Sequence, residues 1–177
     1  IVSAGFDPIS KLNEVPNNPK KRYELMTKDM PEGGELSLDM MYRTCGTQLN
    51  IDYNSEQDFI KKFKIVNSIV PITIALFANS SIKEKQNSNY LSYRSKVWQN
   101  TSRGGLPKVF FENLNFEKYA EFVMNFPILF IQEKENYISG KKYIFKDFMN
   151  GKIKEIKNRL PNENDLSTHL STIFTEN

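Results

Sequence analysis

The 177-residue chain has few of the residues and motifs that mark a familiar chemistry. It holds one cysteine, Cys45, so no internal disulfide can form, which fits a reducing compartment, read here as the cytoplasm. A thiol-rich zinc site within the chain is excluded for the same reason. The single histidine, His169, lies far from Cys45 in sequence, and nothing marks the two as a nucleophile pair. Neither a Gly-x-x-x-x-Gly-Lys phosphate loop nor a Gly-x-Gly-x-x-Gly turn occurs. No apolar run reaches the about 20 residues that span a bilayer, so no membrane partner is expected. Charge of one sign is also lacking. Lys and Arg number 24 against 21 Asp and Glu, and a net +3 is too small to argue for nucleic acid. There is no internal repeat and no long low-complexity tract.

What is present is aromatic. Thirteen Phe and eight Tyr supply bulk for a core although only 39% of the residues are apolar, so the chain reads as globular. Its length suits one domain or a large part of one. The chain starts at Ile1 and stops at Thr175-Glu176-Asn177, just after an apolar run, and so reads as an internal piece, residues 1–177 forming a single domain segment.

Residues 1–19 carry Pro8, Pro16 and Pro19 and read as extended chain. A short helix is expected over 20–30, between Pro19 and Pro31. Residues 44–53 alternate, with Leu49, Ile51 and Tyr53 on one side and Gln48, Asn50 and Asp52 on the other, and are expected to form a strand. Ser55 followed by Asp58 resembles a capping box. It starts a helix to about Phe77 that buries Phe59, Ile60, Phe63, Val66, Ile69 and Val70, with a kink or break at Pro71. A loop is expected over 79–89, a helix over 91–98, a turn at 103–105 and a short strand over 109–111. Further helices are expected over 116–125, 145–149 and 166–174, with a buried strand over 128–132. Strands and long helices without a regular βαβ rhythm indicate the α+β class.

Three ordered segments go further: Met40-Met41-Tyr42-Arg43-Thr44-Cys45-Gly46-Thr47-Gln48-Leu49-Asn50-Ile51-Asp52-Tyr53, Leu91-Ser92-Tyr93-Arg94-Ser95-Lys96-Val97-Trp98, and Arg103-Gly104-Gly105-Leu106-Pro107. In order and spacing they resemble the plant-type and proteobacterial glutamate–cysteine ligases. Pro19-Lys20-Lys21-Arg22-Tyr23, Ala78-Asn79-Ser80, Phe145 to Gly151 and His169 to Phe174 extend the resemblance over nearly the whole chain.

The resemblance implies a glutamine synthetase-like fold, a curved antiparallel sheet flanked by helices with substrates on the concave face. It implies ATP-dependent joining of L-glutamate to L-cysteine through a γ-glutamyl phosphate, with Mg²⁺ on the phosphates, in a monomer or homodimer. It favours Gln48 as a metal ligand over the plain wet face of a sheet, with Asn50 beside it. It favours Arg94 as a carboxylate or phosphate clamp over a surface stack on Trp98, and Trp98 as a wall of the pocket. Arg103 and Gly104 offer a cation and a backbone amide for phosphate, or merely a turn. Arg94 and Arg103 are thus the catalytic candidates. Arg43 and Thr47 line the substrate pocket, with a structural ion pair the other reading of Arg43. Cys45 is expected to be buried packing, His169 a hydrogen-bonded helix residue.

The chain departs from the family pattern at Gly46, at Gly104-Gly105 and at Leu129, where the family has a Tyr near the cysteine site. These departures leave room for a related ligase with another amine acceptor. The acidic residues expected to hold Mg²⁺ fall outside the segment, so the segment alone is expected to be inactive, and an incomplete ligand-binding paralogue is the third reading.

Overall fold

A computed structural model describes residues 3–101 and 109–173, with the backbone alone at 109 and 111. Helices and small antiparallel hairpins make it α+β, as the sequence indicates. The chain divides into two compact units, residues 1–18 with 30–104 and residues 19–29 with 105–177.

The first unit holds α2 (Ser37–Arg43), α3 (Glu56–Leu76), the hairpin β1 (Ile82–Lys83) and β2 (Gln86–Asn87), and α4 (Tyr93–Gln99). Its core is small. Phe6, Tyr93 and Val97 are buried together, with Leu36 and Met40 against them, and the Phe6 and Tyr93 rings meet edge to face at 4.9 Å. Backbone bonds stitch distant segments around this core. Asp7 N donates to Arg43 O at 2.8 Å, Cys45 N to Gly5 O at 3.0 Å, and Tyr93 N to Ser80 O at 3.0 Å.

The N-terminal cap of α3 is as expected: Ser55 Oγ accepts from Asp58 N at 3.1 Å. It is continuous through Pro71, so the break is absent, and against expectation it buries none of its residues. The expected strand over 44–53 is also corrected. After an isolated bridge between Thr44 and Phe6, residues 45–53 belong to no strand or helix, and Leu49 is 84% exposed. The alternation is present, but among the described residues no neighbouring strand completes a ladder. The expected loop over 79–89 instead contains the hairpin. Its two central residues, Glu84 and Lys85, both take positive φ, the pattern of a type I′ turn without the usual Asn or Gly.

The second unit comprises α1 (Lys21–Asp29), α5 (Val109–Asn113), α6 (Phe116–Asn125), β3 (Phe130–Glu133), β4 (Asn136–Ser139), α7 (Phe145–Met149) and α8 (Glu163–Ile173). Residues 109–113 are helical, not the strand expected at 109–111. Phe130 pairs with Ser139 and Glu133 with Asn136, and the turn between them places Lys134 at φ 55°. Ile128, Ile131, Phe145, Phe148, Ile153 and Ile156 form one buried cluster under this hairpin. Asn115 caps α6 by accepting from Lys118 N at 2.7 Å. Asp29, closing α1, accepts from Ser139 Oγ at 2.8 Å and so fixes α1 on β4. The strands of both units amount to two separate hairpins among the described residues, and the larger curved sheet implied by the resemblance is not assembled by them alone.

Candidate functional site

Four segments of the first unit converge on a polar cavity of about 340 Å³, lined among others by Gly5, Cys45, Gly46, Thr47, Asn79 and Arg94. Their convergence follows from the backbone bonds above. Segment 5–7 lies between 43–45 and 79, and α4 is anchored to Ser80, whose hydroxyl accepts from Arg94 N at 3.1 Å. Arg94 therefore enters the cavity from the first turn of α4. Its guanidinium lies over the Trp98 ring, 5.4 Å from the centroid, the i,i+4 pairing that the helical spacing indicates.

Glycines leave the room for it. A Cβ at Gly46 would stand 3.0 Å from Arg94 Nη2, and one at Gly5 would stand 3.3 Å from Arg94 Cδ and 2.7 Å from Asn79 Oδ1. The side chain is thus clasped by bare backbone on one side and the indole on another. Burial pushes its pKa below the usual arginine value, and the nearby Cys45 opposes that shift only in part. Among the described residues no carboxylate pairs with Arg94, and its buried Nε has no acceptor. Trp98 Nε1 is likewise a buried donor without an acceptor among them. A desolvated, unpaired cation in a polar cavity is a binding element for an anion, and the planar guanidinium suits a carboxylate or a phosphoryl group.

The remaining candidates separate. Arg43 is 2% exposed, and its guanidinium pairs with Asp39 at 2.8 Å and Glu84 at 3.2 Å while lying 4.5 Å over the Phe6 ring. That is the ion-pair arrangement, and Arg43 does not line the cavity. Thr47 does. Gln48 and Asn50 sit on the exposed segment, where Gln48 Nε2 donates to Asn50 Oδ1 at 2.8 Å. Arg103 and Gly104 lie outside the described residues. Cys45 is exposed in the cavity and not buried packing, a correction that follows from the bare wall Gly46 leaves beside it. His169 is the hydrogen-bonded helix residue expected: Nε2 donates to Val123 O at 2.8 Å, and the ring stacks on Phe145 at 4.5 Å. Sequence reasoning passed over Gly5, Asn79 and Ser80 as site-builders, although Asn79 and Ser80 lie in a motif that the resemblance already rests on.

A magnesium site does not fit these residues. The ion takes hard oxygens in an octahedron. Among the described residues no three His, Cys, Asp or Glu side chains cluster to hold a metal. No step is derived through the ion.

Comparison with known proteins agrees with this picture. The family described as Glutamate-cysteine ligase family 2 matches residues 1–177. Glutamate–cysteine ligase A, chloroplastic, of Oryza sativa subsp. japonica is 43% identical over 175 residues, 97% of this chain and 36% of that protein. The chloroplastic enzyme of Nicotiana tabacum is 43% identical over 178 residues (99% and 34%), and that of Arabidopsis thaliana 41% over 175 (97% and 34%). The chain therefore spans about a third of the length of the relatives it matches. Their names place those relatives in the chloroplast, which overturns the cytoplasmic expectation: a single cysteine reports reducing conditions, and these are not confined to the cytoplasm. With the motifs in order, the match complete from end to end and identity above 40%, the chain belongs to glutamate-cysteine ligase family 2.

Proposed function

We propose that this chain supplies part of the substrate face of an enzyme that joins the γ-carboxylate of L-glutamate to the amine of L-cysteine with ATP, the first step of glutathione synthesis, in a plastid. In that reaction a γ-carboxylate oxygen attacks the terminal phosphorus of ATP and ADP leaves. The cysteine nitrogen then attacks the acyl carbon, phosphate leaves and the amine gives up a proton. Both halves of the reaction pass through anionic oxygens, which preorganised cations stabilise.

The observation that carries this reading is Arg94, a half-buried guanidinium facing a polar cavity with no carboxylate partner among the described residues. It holds a glutamate carboxylate or the phosphoryl group, while Trp98 fixes its plane. Thr47 and Asn79 offer neutral hydrogen bonds at the same cavity. Arg103 and Gly104 remain the proposed second phosphate contact, and Gln48 and Asn50 a polar face toward the substrates. The two units are proposed to be parts of one catalytic domain.

Gly46 favours a second reading. Without a side chain it widens the cavity beside Arg94 and Cys45, room for an amine acceptor other than cysteine. Coupled measurement of ADP release by the full-length enzyme, offered glutamate with cysteine and with a panel of other amines, tests both. Release that depends on cysteine supports the ligase; equal or greater release with another amine transfers the assignment to the second reading; none with any amine sinks both.

A further inference from the structure

An arginine with carboxylate partners is placed by them. Arg159 has Glu133 at 2.8 Å and Asp165 at 2.7 Å on its guanidinium, and their attraction restores the side chain after a small drift of its backbone. Arg94 has no such guide. Among the described residues no carboxylate pairs with it, and its buried Nε has no acceptor. Its place in the cavity is therefore set from its own backbone, and that backbone is held from outside the helix.

The first turn of α4 shows how. The first N–H groups of a helix have no acceptor within it. Ser92, the residue before α4, serves Ser95, whose N–H donates to Ser92 Oγ at 3.4 Å and to Ser92 O at 3.2 Å. The N–H groups of Tyr93 and Arg94 go instead to one distant residue, Ser80. Tyr93 N donates to Ser80 O at 3.0 Å and Arg94 N to Ser80 Oγ at 3.1 Å. Ser80 N donates in turn to Leu91 O at 3.2 Å. Ser80 is 4% exposed, and its amide, carbonyl and hydroxyl are all committed to residues 91–94. The same residue borders the cavity wall. Its neighbour Asn79 lines the cavity, Gly5 N donates to Asn79 O at 3.4 Å, and a Cβ at Gly5 would stand 3.6 Å from Ser80 Oγ. One hydroxyl thus joins the wall to the residue that carries the cation.

We propose that Ser80 is the positioning residue of Arg94: its hydroxyl, and not the helix cap at Ser92, fixes how far the guanidinium reaches into the cavity. The proposal rests on the reading of Arg94 as the residue that holds an anionic group of the substrate. Without the hydroxyl, Arg94 N is an orphan donor, and the first turn shifts or frays to bring it to water. The backbone bonds from Ser80 to Leu91 and Tyr93 remain, so the fold is kept and the change is centred on residue 94.

The test is a mutant cycle in the full-length enzyme, read as kcat/KM for L-glutamate by coupled ADP release. Ser80→Ala should lower kcat/KM about tenfold, the worth of one hydrogen bond at a site that must be held in register. Ser92→Ala removes a cap from the same helix turn and should cost less than about twofold. In the Arg94→Ala background, Ser80→Ala should cost less than about twofold more, because a residue that acts through Arg94 has nothing left to position. Four results would overturn the proposal: no loss in Ser80→Ala, an equal loss in Ser92→Ala, the full tenfold loss again in the Arg94→Ala background, or a Ser80→Ala protein that does not fold. Wild-type kcat/KM in Arg94→Ala would sink the reading of Arg94 itself, and this inference with it. A loss in Arg94→Ala with none in Ser80→Ala sinks this inference alone.

Discussion

Two arginines, one in each unit, rest on aromatic rings and end up in opposite electrostatic states. Arg159 lies 5.0 Å over Phe148, donates to Asp165 at 2.7 Å and to Glu133 at 2.8 Å, and is pushed above the usual arginine range, chiefly by the Asp165 carboxylate. Arg94 lies over Trp98, has no carboxylate among the described residues, and is pushed below the usual range by burial. The first is a spent charge that joins β3 to α8. The second is a charge held ready. The same contrast runs through the units as wholes. The second packs a buried cluster of six apolar side chains under its hairpin and turns Asp165 and His169 inward with partners. The first gathers Phe6, Tyr93 and Val97 into a cluster of three and leaves a 21-residue helix without a buried residue. The second unit is the more closed; the first carries the cavity that Arg94 enters. Stability and site chemistry should therefore respond to different substitutions.

The largest effect is expected in the second unit. Phe148→Ala removes a ring that is 1% exposed at the centre of the cluster and should cost about 3–5 kcal/mol, read by chemical denaturation. A cost under about 1 kcal/mol would show that this unit is as loosely closed as the first. Arg94→Ala should do the reverse. It should lower kcat/KM for the proposed ligation about 100-fold, about 2.8 kcal/mol by the tenfold-per-1.4 rule, and leave the melting temperature unchanged or raised, because a half-buried charge without a carboxylate partner among the described residues is removed. Gly46→Val should weaken glutamate binding about tenfold by crowding the guanidinium, with Gly46→Ala milder because Nη2 can shift a few tenths of an ångström. Lys85→Gly relieves a left-handed lysine in the β1–β2 turn and should stabilise the first unit by about 0.5–1 kcal/mol without touching the Glu84–Arg43 pair. The smallest effect is a pH dependence. Hydrogen bonds from Lys142 and Tyr143 hold the Glu155 carboxyl at about 2, against an ordinary 4.5. Its contribution is full above about pH 4.5 and is lost as pH falls toward 2, so the stability gap between wild type and Glu155→Gln should close across that window.

The parts legible in sequence are those whose cause is local. Ser55 with Asp58 starts α3, the four-residue spacing puts Arg94 on Trp98, and α7 sits where Phe145 to Met149 indicate. The parts missed depend on distant chain. Residues 45–53 have the period of a strand, yet a ladder needs a neighbour, and among the described residues none is offered. The face of α3 reads as buried by its pattern, and burial likewise needs a second surface. The β1–β2 turn was hidden because Glu84-Lys85 violates the turn preference that would have marked it. At the site, Arg94 and Thr47 were legible only through the family resemblance. Arg43 illustrates the limit of that route: Asp39 on its own helix and Glu84 from the hairpin claim its charge, and neither pairing is visible without the fold.

The central claim is that Arg94 stands unpaired to receive an anionic substrate group. The chain has one tryptophan, and it lies under that guanidinium, so Trp98 fluorescence reports the site directly. Titration with L-glutamate should give a saturable change in Trp98 emission in the wild-type protein and none in Arg94→Ala. An identical saturable response in Arg94→Ala, or no response in the wild type, would contradict the account.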